Sequence, residues 1–261
     1  MSNSAFDSYA HIYDSHFENN FVKKRIRPII YELALRYFQQ GNTILELNCG
    51  TGTDAIVFAK KGINVFSTDI SEEMIRTATE KVAKENLSDR ITFQQCSIEN
   101  ISTLSSKSFD GIFSNFGGIN CVQDLHKTAQ DISLLIKPNG FFIVNVMNKF
   151  CLWETLSFLT RLNFFGAFRR MKHNGVLANI EGNSILVKYY YADEFAKIFS
   201  RYFSCTEILG LNFISPTPNS AHFYNRFPKL SEALFNLEDG RRHTYPLYNY
   251  SDHVVLVLKR K

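Results

Sequence analysis

The sequence predicts an α/β fold: a doubly wound, mostly parallel seven-stranded sheet with an antiparallel strand at one edge and a lid-like insertion. Two observations predict it. From residue 43 to 148, short apolar runs alternate with helical patterns in regular order, the pattern of a parallel sheet with helices on both faces. After 148 the alternation stops, and the strand-like runs that begin at 205 and 253 show no obvious strand–helix–strand spacing. Right-handed crossovers leave few topologies for the first part, of which the doubly wound sheet is the simplest. The last two strands are expected to pair antiparallel at one sheet edge.

Residues 21–40, "FVKKRIRPIIYELALRYFQQ", repeat apolar positions at helical spacing, and Gly41 is a natural stop. "TILEL" (43–47) reads as a buried strand and "TDAIVFAKKG" (53–62) as a helix. "NVFSTDI" (64–70) is a second strand, followed by a helix at 71–86 with Ser71 as N-cap and acids in its first turn. Strands are expected at 90–97 and 109–117, a helix at 124–136, a turn at "KPNG" (137–140) and a fifth strand at 141–148. Residues 150–170 read as one or two amphipathic helices, and 175–191 as a hairpin around Glu-Gly-Asn. A helix at 192–203, a strand at 205–214, a Pro-rich loop, a helix at 228–239 and a strand at 253–260 complete the chain. No linker interrupts it. The expected organisation is one domain: an N-terminal helical cap over about 1–40, a core over about 41–148, a lid over about 149–191, and a sheet edge with an inserted loop over about 192–261.

Bulk properties narrow the class. Hydrophobic residues make up 45% of the 261 and charged residues 21%, the balance of a globular protein with a sizeable core. The net charge of +4 comes with short basic clusters, "KKRIR" (23–27), "RRMKH" (169–173) and "KRK" (259–261), which read as solvated surface rather than a nucleic-acid face. Five cysteines, none with CxxC spacing, suggest neither disulfides nor a metal site, but free thiols in a reducing, cytoplasmic compartment. The N-terminus carries acids and reads as no signal peptide. The most apolar helical stretch, 151–168, is interrupted by Glu154 and Arg161, so no transmembrane segment is expected.

The motif that demands chemistry is "ILELNCGTGTDA" (44–55). Gly50 and Gly52 end a strand and open a helix, where the backbone can approach a ligand and free N–H groups point at it. "GTGTDA" fits G-x-G-x-x-A, and Asp69 follows Gly50 by 19 residues, so the spacing alone admits a dinucleotide site. Glu46 discriminates. A carboxylate near the glycine turn repels a pyrophosphate and attracts an ammonium, directly or through water. The alternative is a buried structural carboxylate.

Residues 44–52 resemble the first motif of class I S-adenosylmethionine-dependent methyltransferases, with Glu46 as its acid and Gly50 and Gly52 as its glycines. Asn48 stands where the family usually has another glycine, a mild departure because Asn tolerates positive φ. "FSTDISEEMI" (66–75) resembles the next stretch. It implies that Asp69 holds the ribose hydroxyls, with Ile70 beside it, and that Met74 packs near the adenine. "QQCSIEN" (94–100) resembles the segment after the third strand. Ser97 replaces the usual Asp, and Ile98 supplies backbone contact. "FDGIFSNFGGIN" (109–120) resembles the fourth-strand motif and places Asn115 and Phe116 at the cofactor's edge. "LLIKPNGFFIV" (134–144) matches the helix–turn–strand motif. "FDSYAHIYD" (6–14) resembles a cap in which Tyr9 or Tyr13 closes over the methionine end. The expected binding set is Tyr13, Glu46, Asn48, Gly50, Thr51, Gly52, Asp69, Ile70, Met74, Ser97, Ile98, Asn115 and Phe116. The resemblance implies a Rossmann-like fold, S-adenosylmethionine as cofactor and S-adenosylhomocysteine as product.

Direct methyl displacement asks for alignment and exclusion of water, and for a base only with some acceptors. No catalytic residue stands out, and no metal is implied. The segments at 149–191 and 215–252 are rich in aromatics; they are either core or a lid over a small apolar or aromatic acceptor. An NAD(P)-dependent dehydrogenase and a non-catalytic scaffold of the same fold remain the competing readings.

Overall fold

A computed structural model describes residues 6–8, 10–180 and 182–261. Residues 1–5, Tyr9 of the N-terminal motif and Glu181 of the expected hairpin turn lie outside the described residues. Two helices, α1 (Ala10–Glu18) and α2 (Phe21–Leu35), precede the sheet. Asn20 caps α2 by accepting the Lys23 amide at 3.1 Å.

The parallel strands are β1 (Thr43–Leu47), β2 (Asn64–Asp69), β3 (Ile91–Gln95), β4 (Phe109–Ser114) and β5 (Ile136–Met147). The helices between them are α3 (Thr53–Lys60), α4 (Glu72–Lys84) and α5 (Leu125–Leu135). Further along come α6 (Leu152–Leu159), α7 (Phe164–Ala167), the hairpin β6 (Val176–Ile180) and β7 (Asn183–Val187), and α8 (Ala192–Phe199). The chain closes with β8 (Phe203–Leu211), α9 (Ala221–Arg226), α10 (Pro228–Asp239) and β9 (His253–Arg260).

The seven-stranded sheet has the order β3-β2-β1-β4-β5-β9-β8, and the hairpin forms a separate two-stranded sheet. Strand β9 runs antiparallel to both β5 and β8 and sits between them. The strand order reverses between β1 and β4, the position where such sheets leave a crevice at their carboxyl ends. Alternation along each strand divides the core. Leu45, Leu47, Phe142 and Val144 pack with α5 and α8, whereas Ile44, Phe113 and Ile143 pack with α2 and α3. Each buried phenylalanine on these faces contributes about 1.5–3 kcal/mol through removal from water.

Two expectations change. "KPNG" is not a turn ahead of the fifth strand but an irregularity inside β5: the register shifts between Phe109 and Gly111, and Asn139 takes φ 65° to absorb the extra residues. The Pro-rich loop contains α9, a short helix that the prolines on either side concealed. Among the described residues no helix is long and apolar enough to cross a membrane, and all five cysteines are free.

Candidate functional site

A cavity with about 970 Å³ of atom-free space, open mouth included, lies over the carboxyl ends of β1, β2, β3 and β4. The turn after β1 contributes Asn48, Cys49 and Gly50, and the end of β2 contributes Asp69 and Ile70. Ser97, Ile98 and Glu99 follow β3, and Asn115 and Phe116 follow β4. Phe6, Tyr13 and Arg27 close it from the N-terminal side, and Met74 of α4 packs into its wall. Every residue expected in the site lines this cavity except Glu46, Thr51 and Gly52.

Asp69 organises the turn. One carboxylate oxygen accepts the Gly50 amide at 2.8 Å and the other accepts the Ser71 amide at 2.9 Å. Burial raises its carboxyl above the ordinary range, and the amides of Ser71 and Gly50 offset only part of that rise. The first of these bonds fixes Gly50, with φ 53°, against the neighbouring strand end. The Ser71 hydroxyl caps α4 by accepting the Met74 amide at 3.1 Å, which seats Met74 in the wall.

Asn48 adopts φ 49°. Its carboxamide donates to the Asn115 carbonyl at 2.8 Å and accepts the Ser114 hydroxyl at 2.6 Å. A glycine here would lose that tie between the ends of β1 and β4. The tie needs Gly118, since a Cβ there would stand 2.3 Å from the Asn48 side chain.

The three residues outside the cavity have other work. Glu46 is 2% exposed and accepts the Ser67 hydroxyl at 2.7 Å. Strand alternation turns it with Ile44 toward α2 and α3, behind the glycine turn rather than into the crevice. Burial, then the Asp54 carboxylate, hold its pKa well above the ordinary range. Thr51 donates to Asp14 at 2.5 Å, and Lys81 reaches the same carboxylate at 2.6 Å, so Thr51 fastens the α1 cap. Gly52, with φ 72°, lets α3 lie close: a Cβ would meet Ala78 at 3.0 Å and Phe93 at 3.2 Å.

The sequence reading missed Arg27 and Asp54. "KKRIR" read as solvated charge, yet the Arg27 side chain is only 11% exposed. Its guanidinium lies 3.9 Å from the Phe17 ring centroid, 5.0 Å from that of Phe116 and 3.0 Å from Asp54. Burial opposes its charge, but Asp54, Tyr31 and Tyr13 outweigh that and raise its pKa. Asp54 also accepts the Tyr31 hydroxyl at 2.5 Å and the Asn115 amide at 2.9 Å. Asn115 in turn accepts from Asn145, whose carboxamide oxygen lies 2.8 Å from His253 Nδ1. Helical phase is the signal available in the sequence: position 27 follows Ile26 and precedes Ile30 on the inward side of α2. "RRMKH" is corrected likewise. Arg170 is 6% exposed, held by Glu154 and Asp252 at 2.6 Å each.

None of the segments expected to form a lid, 149–191 and 215–252, lines the cavity. The insertion stands beside it instead. Asn120, in the turn after β4, donates to the Lys188 carbonyl at 2.6 Å and to the Met147 carbonyl at 3.1 Å.

The cavity is acidic and apolar together. Asp54, Asp69 and Glu99 line it, and Arg27 is its one cation among the described residues. Ile70 faces it while 51% exposed, leaving apolar surface open to a ligand. Such a lining fits a ligand that carries positive charge and an aromatic ring, and offers no cluster of cations to a pyrophosphate. No group of three or more His, Cys, Asp or Glu side chains is placed to hold a metal ion among the described residues.

Comparison with known proteins agrees with this geometry. A family model described as a methyltransferase domain matches residues 38–184. An uncharacterised protein of Methanocaldococcus jannaschii is 26% identical over 190 residues, covering 72% of this chain and 69% of that protein. A ubiquinone/menaquinone biosynthesis C-methyltransferase of Rickettsia peacockii is 30% identical over 150 residues, covering 55% of this chain and 59% of that protein. The chain thus spans about three fifths of the length of that second relative. In fold, the chain is similar to one solved in a complex between the Haloferax volcanii Trm112 methyltransferase activator and its proposed methyltransferase. The TM-score is 0.61 at 18% identity, covering 98% of this chain and 95% of that one.

Proposed function

The chain belongs to the family of S-adenosylmethionine-dependent methyltransferases, and from that premise we propose that it transfers the cofactor's methyl group to a small apolar or aromatic acceptor by direct displacement. The observation that carries the reading is the charge pattern of the cavity: three carboxylates and a single arginine around an apolar floor. When bound, the cofactor supplies an electrophilic methyl on a sulfonium. In this reading Asp69 accepts the ribose hydroxyls with the lone pairs left over from the Gly50 and Ser71 amides. Ile70, Met74 and Ile98 sandwich the adenine. Asp54 attracts the ammonium of the amino-acid end, and Arg27 its carboxylate. Glu46 holds the end of β1 to β2 through the Ser67 hydroxyl, behind the turn, rather than making a direct contact.

Support for the acceptor class comes from the apolar part of the lining. Phe6, Tyr13, Phe116 and Val122 belong to it, and Arg27 is the one cation there among the described residues, too few for a polyanion. Tyr13 and Phe116 orient the acceptor and exclude water, which is most of what such a displacement asks of a protein. The test is incubation of the purified protein and methyl-labelled S-adenosylmethionine with a cell extract, followed by solvent partition. The reading expects label in a low-molecular-weight, organic-soluble product. Label confined to protein or nucleic acid refutes it.

A further inference from the structure

We propose that the face formed by residues 156–177 and 223–230 docks on an anionic lipid bilayer. Phe165 is 94% exposed, Leu162 79% and Phe164 60%, and Leu177 is 69% exposed farther along. With Phe168, the exposed phenylalanines of this stretch present about 400 Å² of surface to water, taking about 200 Å² for a whole phenylalanine side chain. A patch of about that size is comparable to the largest on a typical monomer, and such patches are often functional. Leu162 follows the end of α6, and Phe164 and Phe165 open α7. Leu162 and Phe165 are covered over a small part of their surface and so project outward rather than line a groove. A projecting ring needs no preformed pocket in a fluid acyl layer, whereas a protein partner must supply one.

Charge identifies the kind of bilayer. Residues 155–180 contain no Asp or Glu, and neither do residues 208–231. Arg161, Lys172, Arg226 and Lys229 are all exposed in these two stretches. The stretches are neighbours in space: the Trp153 and Phe223 rings lie 4.9 Å apart, and Phe223 lies 5.1 Å from Phe227. Phe227 and Leu230 therefore extend the apolar face, at 44% and 51% exposure. Glu232, which accepts the Tyr224 hydroxyl at 3.2 Å, stands at its margin. Aromatic and aliphatic side chains flanked mainly by cations are the composition that binds the boundary between anionic headgroups and acyl chains.

The insertion is built to carry load. Arg170 bridges Glu154 of α6 and Asp252, the residue before β9, and also donates to the carbonyls of Asn148 and Asp252. The face is thereby fixed to the carboxyl end of β5, the same end of the sheet at which the cavity opens.

The test uses the full chain and needs no turnover, so it succeeds or fails independently of the methyl-transfer reading. Sedimentation is measured with phosphatidylcholine vesicles and with vesicles mixing phosphatidylcholine and phosphatidylglycerol. The inference expects the protein to pellet with the mixed vesicles, less so as salt rises. Phe164→Ser and Phe165→Ser are each expected to weaken the partition about tenfold, from the apolar area lost. Arg161→Glu with Lys172→Glu is expected to abolish the preference for anionic lipid. Unchanged thermal unfolding of these exposed-site variants shows that the fold is intact. Wild-type protein that stays in the supernatant with mixed vesicles overturns the inference, as do variants that pellet like the wild type. So does a lipid-free dimer that Phe165→Ser dissociates, which would give the face to a second copy of the chain.

Discussion

Replacing Asp69 with Asn tests the site at its best-defined point. The two carboxylate oxygens each accept one backbone amide, at 2.8 and 2.9 Å. An asparagine keeps one acceptor and turns the other position into a donor that faces an N–H. A buried amide left unsatisfied costs about 1–3 kcal/mol, so the variant unfolds at lower temperature but remains folded. The effect on ligand binding is separate. Hydrogen bonds to a charged acceptor contribute about 1.5–3 kcal/mol each, so losing one ribose contact weakens S-adenosylhomocysteine about 10–100-fold. Calorimetric titration at neutral pH reads the dissociation constant, and circular dichroism confirms the fold. A folded variant that binds within about twofold of wild type would refute the assignment of Asp69 to the ligand.

Arg27→Gln leaves Asp54 buried without its cation and is expected to destabilise the chain by about 3–5 kcal/mol, measured by urea unfolding; Arg27→Lys, which keeps the charge, should lose less. Gly52→Ala forces a side chain into φ 72° against Ala78 and is expected to cost more than about 1 kcal/mol in the same assay. His253 is buried, and burial depresses its pKa below the usual 6.5 despite the neighbouring Asp252. The unfolded chain then takes up this proton first as pH falls. Stability is full above about pH 6.5 and is lost as pH drops toward the native value; His253→Gln should flatten that limb of a stability–pH curve.

The fold was legible because strand and helix periods differ, and because one-directional alternation leaves few ways to order a sheet. The edge was legible from spacing: the last two strands, β8 and β9, are not separated as a parallel crossover unit would be. The interior of β5 was not: Pro138, Asn139 and Gly140 are turn residues by every local rule, and only the pairing with β4 reveals a bulge that continues the strand. That Asp69, Ile70, Ser97 and Asn115 would line the cavity was legible because each sits at or just after a strand end, and Met74 because it lies in the first turn of the helix that follows β2. Glu46 lies in the expected strand but not in the lining of the cavity, and alternation with Ile44 points it toward the helices. Arg27 escaped because a run of basic residues looks the same whether one of them faces a buried acid or all face water. Its partner Asp54 lies 27 residues away, and only packing of α2 on α3 joins them.

The most direct test of the central claim is calorimetric titration of the unmodified protein with S-adenosylhomocysteine and, separately, NADH. An acidic, apolar cavity with one arginine predicts micromolar binding of the first and no heat from the second. Binding of NADH without S-adenosylhomocysteine would contradict it.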